Sequence, residues 1–251
     1  MTDDEAARWE HFGREHPYYA VLVDERYRGR SLGEAAHADF FATGEAHVAR
    51  LCEQFAALLG APVKLGRVLD LGCGVGRLTL PLARRATEAV GVDIAEPLLV
   101  EARKNAARLG VTNATFVRSD AALSRVEGSF DAVHSYITFQ HIHPRAGIRL
   151  MARMLTSLAP GGIGMLHTTF RRRAPLYRKA GNWVRDRSRA VNGIVNRIQG
   201  REAGEPFIPM HNYDRRAVVR LLADHGCTLL LELETDHGGH LGAMLYFSRA
   251  Q

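Results

Sequence analysis

The sequence has few cysteines and no long apolar run, and both shortages exclude classes of protein. Its 251 residues include three cysteines, which are too few and too scattered for a disulfide framework or a zinc site. It contains no stretch of 18 consecutive apolar residues, so we predict no membrane span. The first five residues include three acids and no apolar signal core. We therefore expect a cytoplasmic protein.

Acidic residues are scarce in one segment, residues 167–201. This segment has ten Lys or Arg residues and the single acid Asp186, so its charge is +9, whereas the whole chain carries +6. The remainder of the chain is therefore slightly acidic. The high isoelectric point is a property of one segment, and it does not by itself indicate a nucleic-acid-binding protein.

The rest of the composition is typical of a globular α/β domain. Hydrophobic residues make up 46% of the chain, enough for one sizeable core and an accessory region. Apolar runs predict strands at 67–71, 88–93, 114–118, 130–136, 162–168, 228–234 and 241–247. Helices are predicted between and after them, at 76–86, 96–109, 145–159 and 214–225. This alternation indicates a parallel sheet covered on both faces, with a ligand at the carboxyl ends of its strands.

We expect three regions along the chain. Residues 1–62 form an N-terminal helical cap, in which apolar residues at helical spacing predict a long helix over 32–59. Residues 63–168 and 213–251 form the sheet domain. Residues 169–212 form a basic helical insertion after the fifth strand, with its apolar residues mostly on one helical face.

The strongest functional pattern lies in residues 67–76. A buried strand ends near Asp70, and three glycines follow with the spacing G-x-G-x-G, at Gly72, Gly74 and Gly76. Glycine tolerates positive φ and lets the backbone approach a ligand closely. The spacing differs from the G-x-G-x-x-G of a dinucleotide turn and from a phosphate loop ending in G-K-[ST]. Asp93 closes the next strand, and its carboxylate can accept hydrogen bonds from both hydroxyls of a ribose.

This run resembles the first motif of class I S-adenosylmethionine-dependent methyltransferases of the bacterial small-molecule type. Four more segments match that family's pattern, at 93–94, 119–121, 129–136 and 158–162. The resemblance covers residues 65–168 well and the terminal sheet moderately. It implies a Rossmann-like, mostly parallel sheet of seven strands, with the last strand antiparallel.

The resemblance also implies S-adenosylmethionine as co-substrate and assigns roles to individual residues. Asp70 suits the ammonium group of the donor, and Cys73 serves as a small residue within the glycine turn. Asp93 binds the ribose and Ile94 packs on the adenine. The adenine edge is bound by Asp120 and the amide of Ala121, and Tyr136 lines the methyl-donor pocket. A helix N-cap is the alternative role for Asp120.

Methyl transfer is an SN2 displacement, so the enzyme mainly aligns donor and acceptor. A base is needed only for a protonated acceptor. Our first candidate is His141, in the loop after the fourth strand, followed by His167 at the end of the fifth strand. Tyr19 is a candidate for closing the site from the N-terminal cap. Structural packing is the alternative for all three. We predict no metal site, because His237 and His240 flank a hairpin turn without further ligands nearby.

The resemblance leaves the acceptor open. We expect a small molecule methylated on O or N, and an anionic one if the basic insertion is a lid. An interfacial helix over 175–200 at acidic lipid is an alternative that we do not favour here. Nucleic acid is the least favoured partner, because the fourth strand does not end in the Asn/Asp-Pro-Pro-Tyr/Phe motif. Aminopropyl transfer and a catalytically silent binding protein remain alternative functions, and the oligomeric state is not predicted.

Overall fold

A mixed sheet of seven strands lies at the centre of the fold in a computed structural model, which describes residues 3–120, 122–173 and 176–251. The strand order is β3-β2-β1-β4-β5-β7-β6. The strands are β1 Leu65–Leu71, β2 Ala86–Asp93, β3 Ala114–Arg118, β4 Phe130–Ser135, β5 Leu158–Arg172, β6 Cys227–His237 and β7 His240–Arg249. The first five are parallel, and β7 is antiparallel to both β5 and β6. The predicted Rossmann-like sheet is therefore confirmed.

Helices flank this sheet. They are α1 Asp3–Glu15, α2 Pro17–Val21, α3 Glu34–Leu59, α4 Thr79–Ala83, α5 Glu96–Arg108, α6 Pro144–Ser157, α7 Leu176–Arg187, α8 Arg189–Ile198 and α9 Arg215–Asp224. Among the described residues, no helix combines the length and apolar character needed to cross a membrane.

The buried strands are apolar on both faces because helices cover both faces. Successive residues of a strand point to opposite sides of the sheet. In β1, Val68 packs with residues of α3, whereas Leu69 packs with residues of α6 and α9. In β4, Ala132 packs on the side of α3 and Val133 packs on the side of α6 and α9. This register places alternate polar residues at the ends of β1 and β4 on the side covered by α3.

Two predicted elements differ in extent. The helix predicted over 76–86 is confined to Thr79–Ala83, because Gly76 has a left-handed φ of 86° and the turn continues beyond it. Strand β5 runs on to Arg172, inside the predicted insertion, because it pairs with β7 as far as His240. Residues 159–162, predicted as a turn, form an irregularity in the pairing of β4 with β5.

The N-terminal helices contact the glycine turn directly. Gly44 of α3 faces the backbone carbonyl of Arg77, and a Cβ at this position would overlap that oxygen. The Val21 side chain of α2 lies against Gly74, where an added Cβ would overlap Val21 Cγ2. The close approach of α3 to the turn therefore depends on glycine at position 44.

Replacing Gly44 by alanine should destabilise the protein by about 1–3 kcal/mol, because the new methyl group must push α3 away from the turn. The matched control is Gly181→Ala in α7, where no atom lies within 4 Å of the added Cβ. This second change should stabilise the protein by up to about 1 kcal/mol, since alanine is the better helix former. Urea unfolding of both variants measures the difference, and a stabilised Gly44→Ala variant would contradict the close packing.

Candidate active site

The glycine turn joins β1 to β2 through backbone contacts. The amides of Gly72 and Cys73 donate to the carbonyl of Val92, at 2.7 and 3.1 Å. Gly72 and Gly74 have φ values of 77° and 54°, which disfavour residues with a Cβ. A Cβ on Gly72 would also overlap the Thr138 side chain in the loop after β4. Glycine at positions 72 and 74 therefore permits both the left-handed backbone and the close packing of Thr138 and Val21 on the turn.

Asp93 is fixed against this turn. Its carboxylate accepts hydrogen bonds from the amides of Gly74 and Ala95, both at 3.0 Å. Burial raises the pKa of Asp93 above its usual range, although the two amides oppose the shift. Each carboxylate oxygen can accept a further hydrogen bond. Asp93 can therefore still receive two ribose hydroxyls, and the half-buried Ile94 follows it in the chain.

Asp70 is already engaged by the protein. Its side chain is buried, and its two oxygens lie 2.6 Å from Thr79 Oγ1 and 2.7 Å from His134 Nδ1. These contacts tie β1 to α4 and β4. A donor ammonium group at Asp70 would have to share the carboxylate with these partners, so the sequence-based role of Asp70 stays a prediction.

Cys73 fits the small-residue role. Its thiol is buried and lies 3.7 Å from the carbonyl of Gly74. Burial raises its pKa well above the usual value, with Asp93 and Asp70 nearby adding to the shift. The thiolate needed for a nucleophile is therefore disfavoured at this position.

Asp120 is exposed and stabilises the turn after β3. It accepts from the amides of Ala122 at 2.9 Å and Ser124 at 3.0 Å, and from the Ser124 hydroxyl. The Ser124 hydroxyl and amide are the main reason why the pKa of Asp120 falls to about 2. No helix begins at Asp120 in the described residues, so the helix N-cap alternative is wrong, and the adenine contact stays a prediction. Ala121 lies outside the described residues.

A group of polar side chains gathers where β4, β5 and β6 end, on the side covered by α3. We call it the polar chamber; it consists of His47, Arg77, His134, Tyr136, His167 and His237. Tyr136 is central, with ring-centroid distances of 4.4, 5.3 and 6.1 Å to His47, His167 and His237. The chamber lies beside the glycine turn, because His134 bonds to Asp70 and Arg77 directly follows Gly76.

Several nitrogens of the polar chamber are buried without a partner among the described residues: His47 Nε2, Arg77 Nε, His134 Nε2, His167 Nδ1 and His237 Nε2. Buried polar atoms in folded proteins almost always have a partner, so this concentration indicates a ligand site. In the described part of the chain, no three His, Cys, Asp or Glu residues are placed to hold a metal ion. The unpartnered nitrogens of the polar chamber could form hydrogen bonds with a ligand.

Burial also sets the charge of the polar chamber. It lowers the pKa of His47 to about 2 and that of His167 to about 3, so both rings are neutral near pH 7. Arg77 is buried as well and keeps its charge, which acts on both His47 and Tyr136. A neutral or anionic ligand suits this environment better than a cation.

His141 lies in the loop after β4, between α1 and the insertion. Its Nδ1 is 3.4 Å from the carbonyl of Pro209, and its Nε2 is 3.1 Å from Gln140 Nε2. These contacts favour a neutral ring that donates from Nδ1 and accepts at Nε2. Trp9 packs against it at 5.2 Å, and burial lowers the pKa of His141 to about 4. His141 follows β4, and His167 lies in β5 next to the residue that pairs with Ser135 at the end of β4, so both lie towards the carboxyl ends of the parallel strands.

Tyr19 lies apart from these candidates. It is buried, with its ring 6.3 Å from the His16 ring and 4.7 Å from the Arg28 guanidinium. The neighbouring Tyr18 connects to the glycine turn instead, through Asn105, whose side chain donates to the carbonyl of Val75. The structure therefore does not bring Tyr19 together with the other two.

Sequence reasoning missed three members of the polar chamber. His134 was recognisable as a titratable residue inside a buried strand, two positions before Tyr136 and so on the same face. His47 was recognisable as a polar residue next to the apolar stripe of α3. Arg77 carried no sequence signal beyond its place after the glycines.

Comparisons with known proteins find methyltransferases, both in sequence and in fold. Residues 68–162 match the model of a methyltransferase domain. The structure resembles magnesium protoporphyrin IX methyltransferase from Synechocystis with bound S-adenosylhomocysteine, with a TM-score of 0.63, 19% identity, and coverage of 99% of this chain and 100% of that one. It also resembles the N-methyltransferase NodS from Bradyrhizobium japonicum, with a TM-score of 0.61, 12% identity, and coverage of 99% and 100%. At these identities the likeness concerns the fold.

A further similarity in sequence is local. Over 72 residues the chain is 50% identical to the 23S rRNA (uracil(1939)-C(5))-methyltransferase RlmD of Alkalilimnicola ehrlichii. This aligned region covers 27% of this chain and 16% of that protein. The chain is also 37% identical to the RlmD of Burkholderia thailandensis over 106 residues. This aligned region covers 42% of this chain and 23% of the Burkholderia protein. The chain thus spans less than a quarter of these curated relatives.

The sheet order and the glycine turn define a nucleotide-binding fold of the Rossmann-like type. Residues 68–162 thus match a methyltransferase domain, and the fold is shared with methyltransferases solved with bound S-adenosylhomocysteine or S-adenosylmethionine.

Proposed function

We propose that this protein transfers the methyl group of S-adenosylmethionine to an oxygen or nitrogen of a small-molecule acceptor bound in the polar chamber. The observation that carries the proposal is the set of unpartnered nitrogens around Tyr136, beside the glycine turn. An acceptor with hydroxyl, carboxyl or amine groups would satisfy those nitrogens.

The glycine turn and Asp93 would hold the donor, whose sulfonium supplies both the methyl group and a good leaving group. Gly72, Cys73, Gly74 and Gly76 would let the donor lie against the backbone, and Asp93 would accept from its ribose hydroxyls. Tyr136 lies against three histidines of the chamber, His47, His167 and His237. It would form one side of the pocket in which donor and acceptor meet, and so help to align the two for in-line attack.

His167 and His141 would orient the acceptor by hydrogen bonds rather than act as strong bases that remove its proton. With pKa values of about 3 and 4, both imidazoles are neutral hydrogen-bonding groups and weak bases at pH 7. His167 Nδ1 has no partner among the described residues, so it can accept a hydrogen bond from a hydroxyl or amine. Such a contact would suit an acceptor that loses its proton readily. Tyr19 would act only through the packing of the cap.

The local likeness to uracil C5 methyltransferases raises RNA as a second acceptor. Methylation of a pyrimidine carbon generally requires an enzyme nucleophile to activate the ring. The cysteines do not supply one: Cys73 and Cys227 are buried, and Cys52 lies on α3. Burial raises the pKa of all three thiols. We therefore favour the small molecule.

Aminopropyl transfer and a catalytically silent protein fit the polar chamber less well than methyl transfer does. Aminopropyl transfer would require the site to admit a polycation, which the buried charge of Arg77 opposes. A catalytically silent protein would not need the neutral histidines beside the donor turn.

The test is a transfer assay with methyl-labelled S-adenosylmethionine. The purified chain is incubated with separate pools of phenols, carboxylic acids and amines, and with ribosomal RNA transcripts. Label recovered in a small-molecule pool supports the proposal. Label found only in RNA overturns the proposed acceptor, and donor binding without transfer to any pool supports a catalytically silent protein.

Replacing His141 by alanine should slow turnover of the acceptor found in that assay by about 10- to 100-fold, the lower part of the range for acid–base or orienting groups. Affinity for S-adenosylhomocysteine should stay nearly unchanged, because His141 contacts Pro209 and Trp9 rather than the glycine turn. The exposed His143→Ala variant serves as control. Wild-type turnover by His141→Ala would remove this residue from the mechanism.

A further inference from the structure

Helix α8 in the basic insertion turns its apolar side outward. Asn192, Gly193 and Asn196 are buried against the protein, whereas Ile194 and Ile198 are 57% and 80% exposed. The preceding helix α7 presents Trp183 and Val184 with 58% and 38% exposure. We call these four exposed side chains the outer apolar surface.

A buried polar network fixes this orientation. The side-chain amides of Asn192 and Asn196 both donate to the carbonyl of Glu205, at 2.8 and 2.7 Å. The Arg185 guanidinium in turn donates to the side-chain oxygens of both asparagines. Because these bonds hold the polar side of α8 inward, the isoleucines cannot turn to the core without leaving buried polar groups unpaired.

Exposed arginines lie on the same two helices as the outer apolar surface. Arg187, Arg189 and Arg197 are exposed, and the Arg187 guanidinium lies 4.2 Å from the centre of the Trp183 ring. The one acid in this stretch, Asp186, pairs with Arg8 of α1 at 2.7 Å. The outward face therefore combines an indole, branched aliphatic side chains and positive charge.

A groove between α7 and α8 adjoins the same surface. Its volume is about 790 Å³, and its walls include Val184, Val191 and Val195, with Arg172 and Arg185 beside them. Apolar walls with arginines beside them suit a ligand that has an apolar part and an anionic part.

We propose that the outer apolar surface docks this protein on an anionic lipid bilayer. Trp183, Ile194 and Ile198 would enter the boundary between headgroups and acyl chains, and the arginines would contact lipid phosphates. Charge argues against a second copy as the occupant, because two such surfaces would bring their arginines together. Apolar exposure argues against RNA, which offers phosphates but no apolar layer for the isoleucines. The proposal does not depend on methyl transfer.

The test is co-sedimentation of the full chain with vesicles. We expect binding to mixed phosphatidylcholine and phosphatidylglycerol vesicles and little binding to pure phosphatidylcholine. Binding should weaken as salt is raised, because the arginine contacts are screened. The double variant Ile194→Ser/Ile198→Ser should bind at least tenfold more weakly, because two apolar side chains no longer enter the bilayer. Arg187→Gln and Arg197→Gln should each weaken binding about fivefold.

The matched control is Val23→Ser, which removes an apolar side chain that is 74% exposed at a site distant in sequence from the insertion. It should bind vesicles like the wild type, and thermal unfolding should show that all variants are folded. Equal partition of the wild type into neutral and anionic vesicles, or none into either, would overturn the proposal. So would sedimentation velocity showing a dimer that Ile194→Ser/Ile198→Ser dissociates, or filter binding showing RNA capture without vesicle binding.

Discussion

Asp93→Ala should bind S-adenosylhomocysteine about 10- to 100-fold more weakly than the wild type, which corresponds to roughly 1.5–3 kcal/mol for hydrogen bonds to a charged group. Two effects combine in this variant. The ribose loses its carboxylate partner, and the amides of Gly74 and Ala95 lose the acceptor that fixes the turn. Isothermal titration calorimetry measures the change directly and needs no knowledge of the methyl acceptor.

Two further variants separate these effects. Asp93→Asn keeps one side-chain acceptor, but its NH₂ group must face an amide that also donates, so binding should fall between alanine and wild type. Glu88→Ala removes a carboxylate from the opposite end of β2, where it pairs with Arg67, and should leave affinity unchanged. An Asp93→Ala protein that is folded and binds with wild-type affinity would reject the ribose assignment.

The elements of this fold that could be predicted from the sequence are those determined by neighbouring residues, such as glycines, prolines and short apolar runs. Strand β1 is a short apolar run ending in glycines, and the φ of 77° at Gly72 is the conformation that such glycines permit. The helix predicted over 96–109 was correct to within one residue, because Pro97 and Gly110 mark its two ends. Only the family pattern, rather than local propensity, predicted that β7 would be antiparallel.

The parts that could not be predicted depend on contacts between distant residues. The spacing of apolar residues in α8 predicts one helical face but not which face packs, and here Glu205 and Arg185 hold the asparagine side inward. Helix α4 is short because the glycine turn continues through left-handed Gly76. The unpartnered state of His47 and His167 is visible only once α3 covers the sheet.

Asp70 shows how a correct motif can still leave a residue's role undecided. The pattern of an acidic strand end before three glycines agrees with the family, yet the carboxylate bonds to Thr79 and His134. It therefore links the donor turn to a histidine of the polar chamber. His134 Nδ1 already bonds to Asp70, whereas His134 Nε2 has no partner among the described residues. A ligand that bonds to Nε2 would therefore be coupled to Asp70 through the polarised imidazole ring.

The protein should lose stability steeply between pH 6.5 and pH 5. Histidine titrates near 6.5 when unfolded, whereas burial lowers the pKa of His47 to about 2 and that of His167 to about 3 in the folded state. Below pH 6.5 these two histidines bind protons in the unfolded chain but not in the folded protein. Acid therefore favours unfolding. The stabilisation is present above pH 6.5 and falls by about 1.4 kcal/mol per pH unit for each histidine.

From pH 7 to pH 5 the two rings together account for a loss of roughly 2–4 kcal/mol, a large share of the stability of a typical domain. The groups around them reinforce the effect: Arg77, Arg50 and His134 disfavour a charge on His47, as His237 and His141 do on His167. Asp93 acts in the opposite direction, because its raised pKa favours the folded state as pH falls. Urea unfolding at pH 7, 6 and 5 measures the net slope.

A matched pair of variants tests whether the polar chamber causes the dependence of the unfolding free energy on pH. His47→Gln and His167→Gln keep a neutral hydrogen-bonding side chain, so each should be close to wild type at pH 7 and lose stability less steeply on acidification. Val23→Ser, at a 74% exposed position without an ionisable side chain, should leave the slope as it is. If His167→Gln retains the full wild-type slope, this ring is not held neutral by burial, and its role as an uncharged group that orients the acceptor would fail with it.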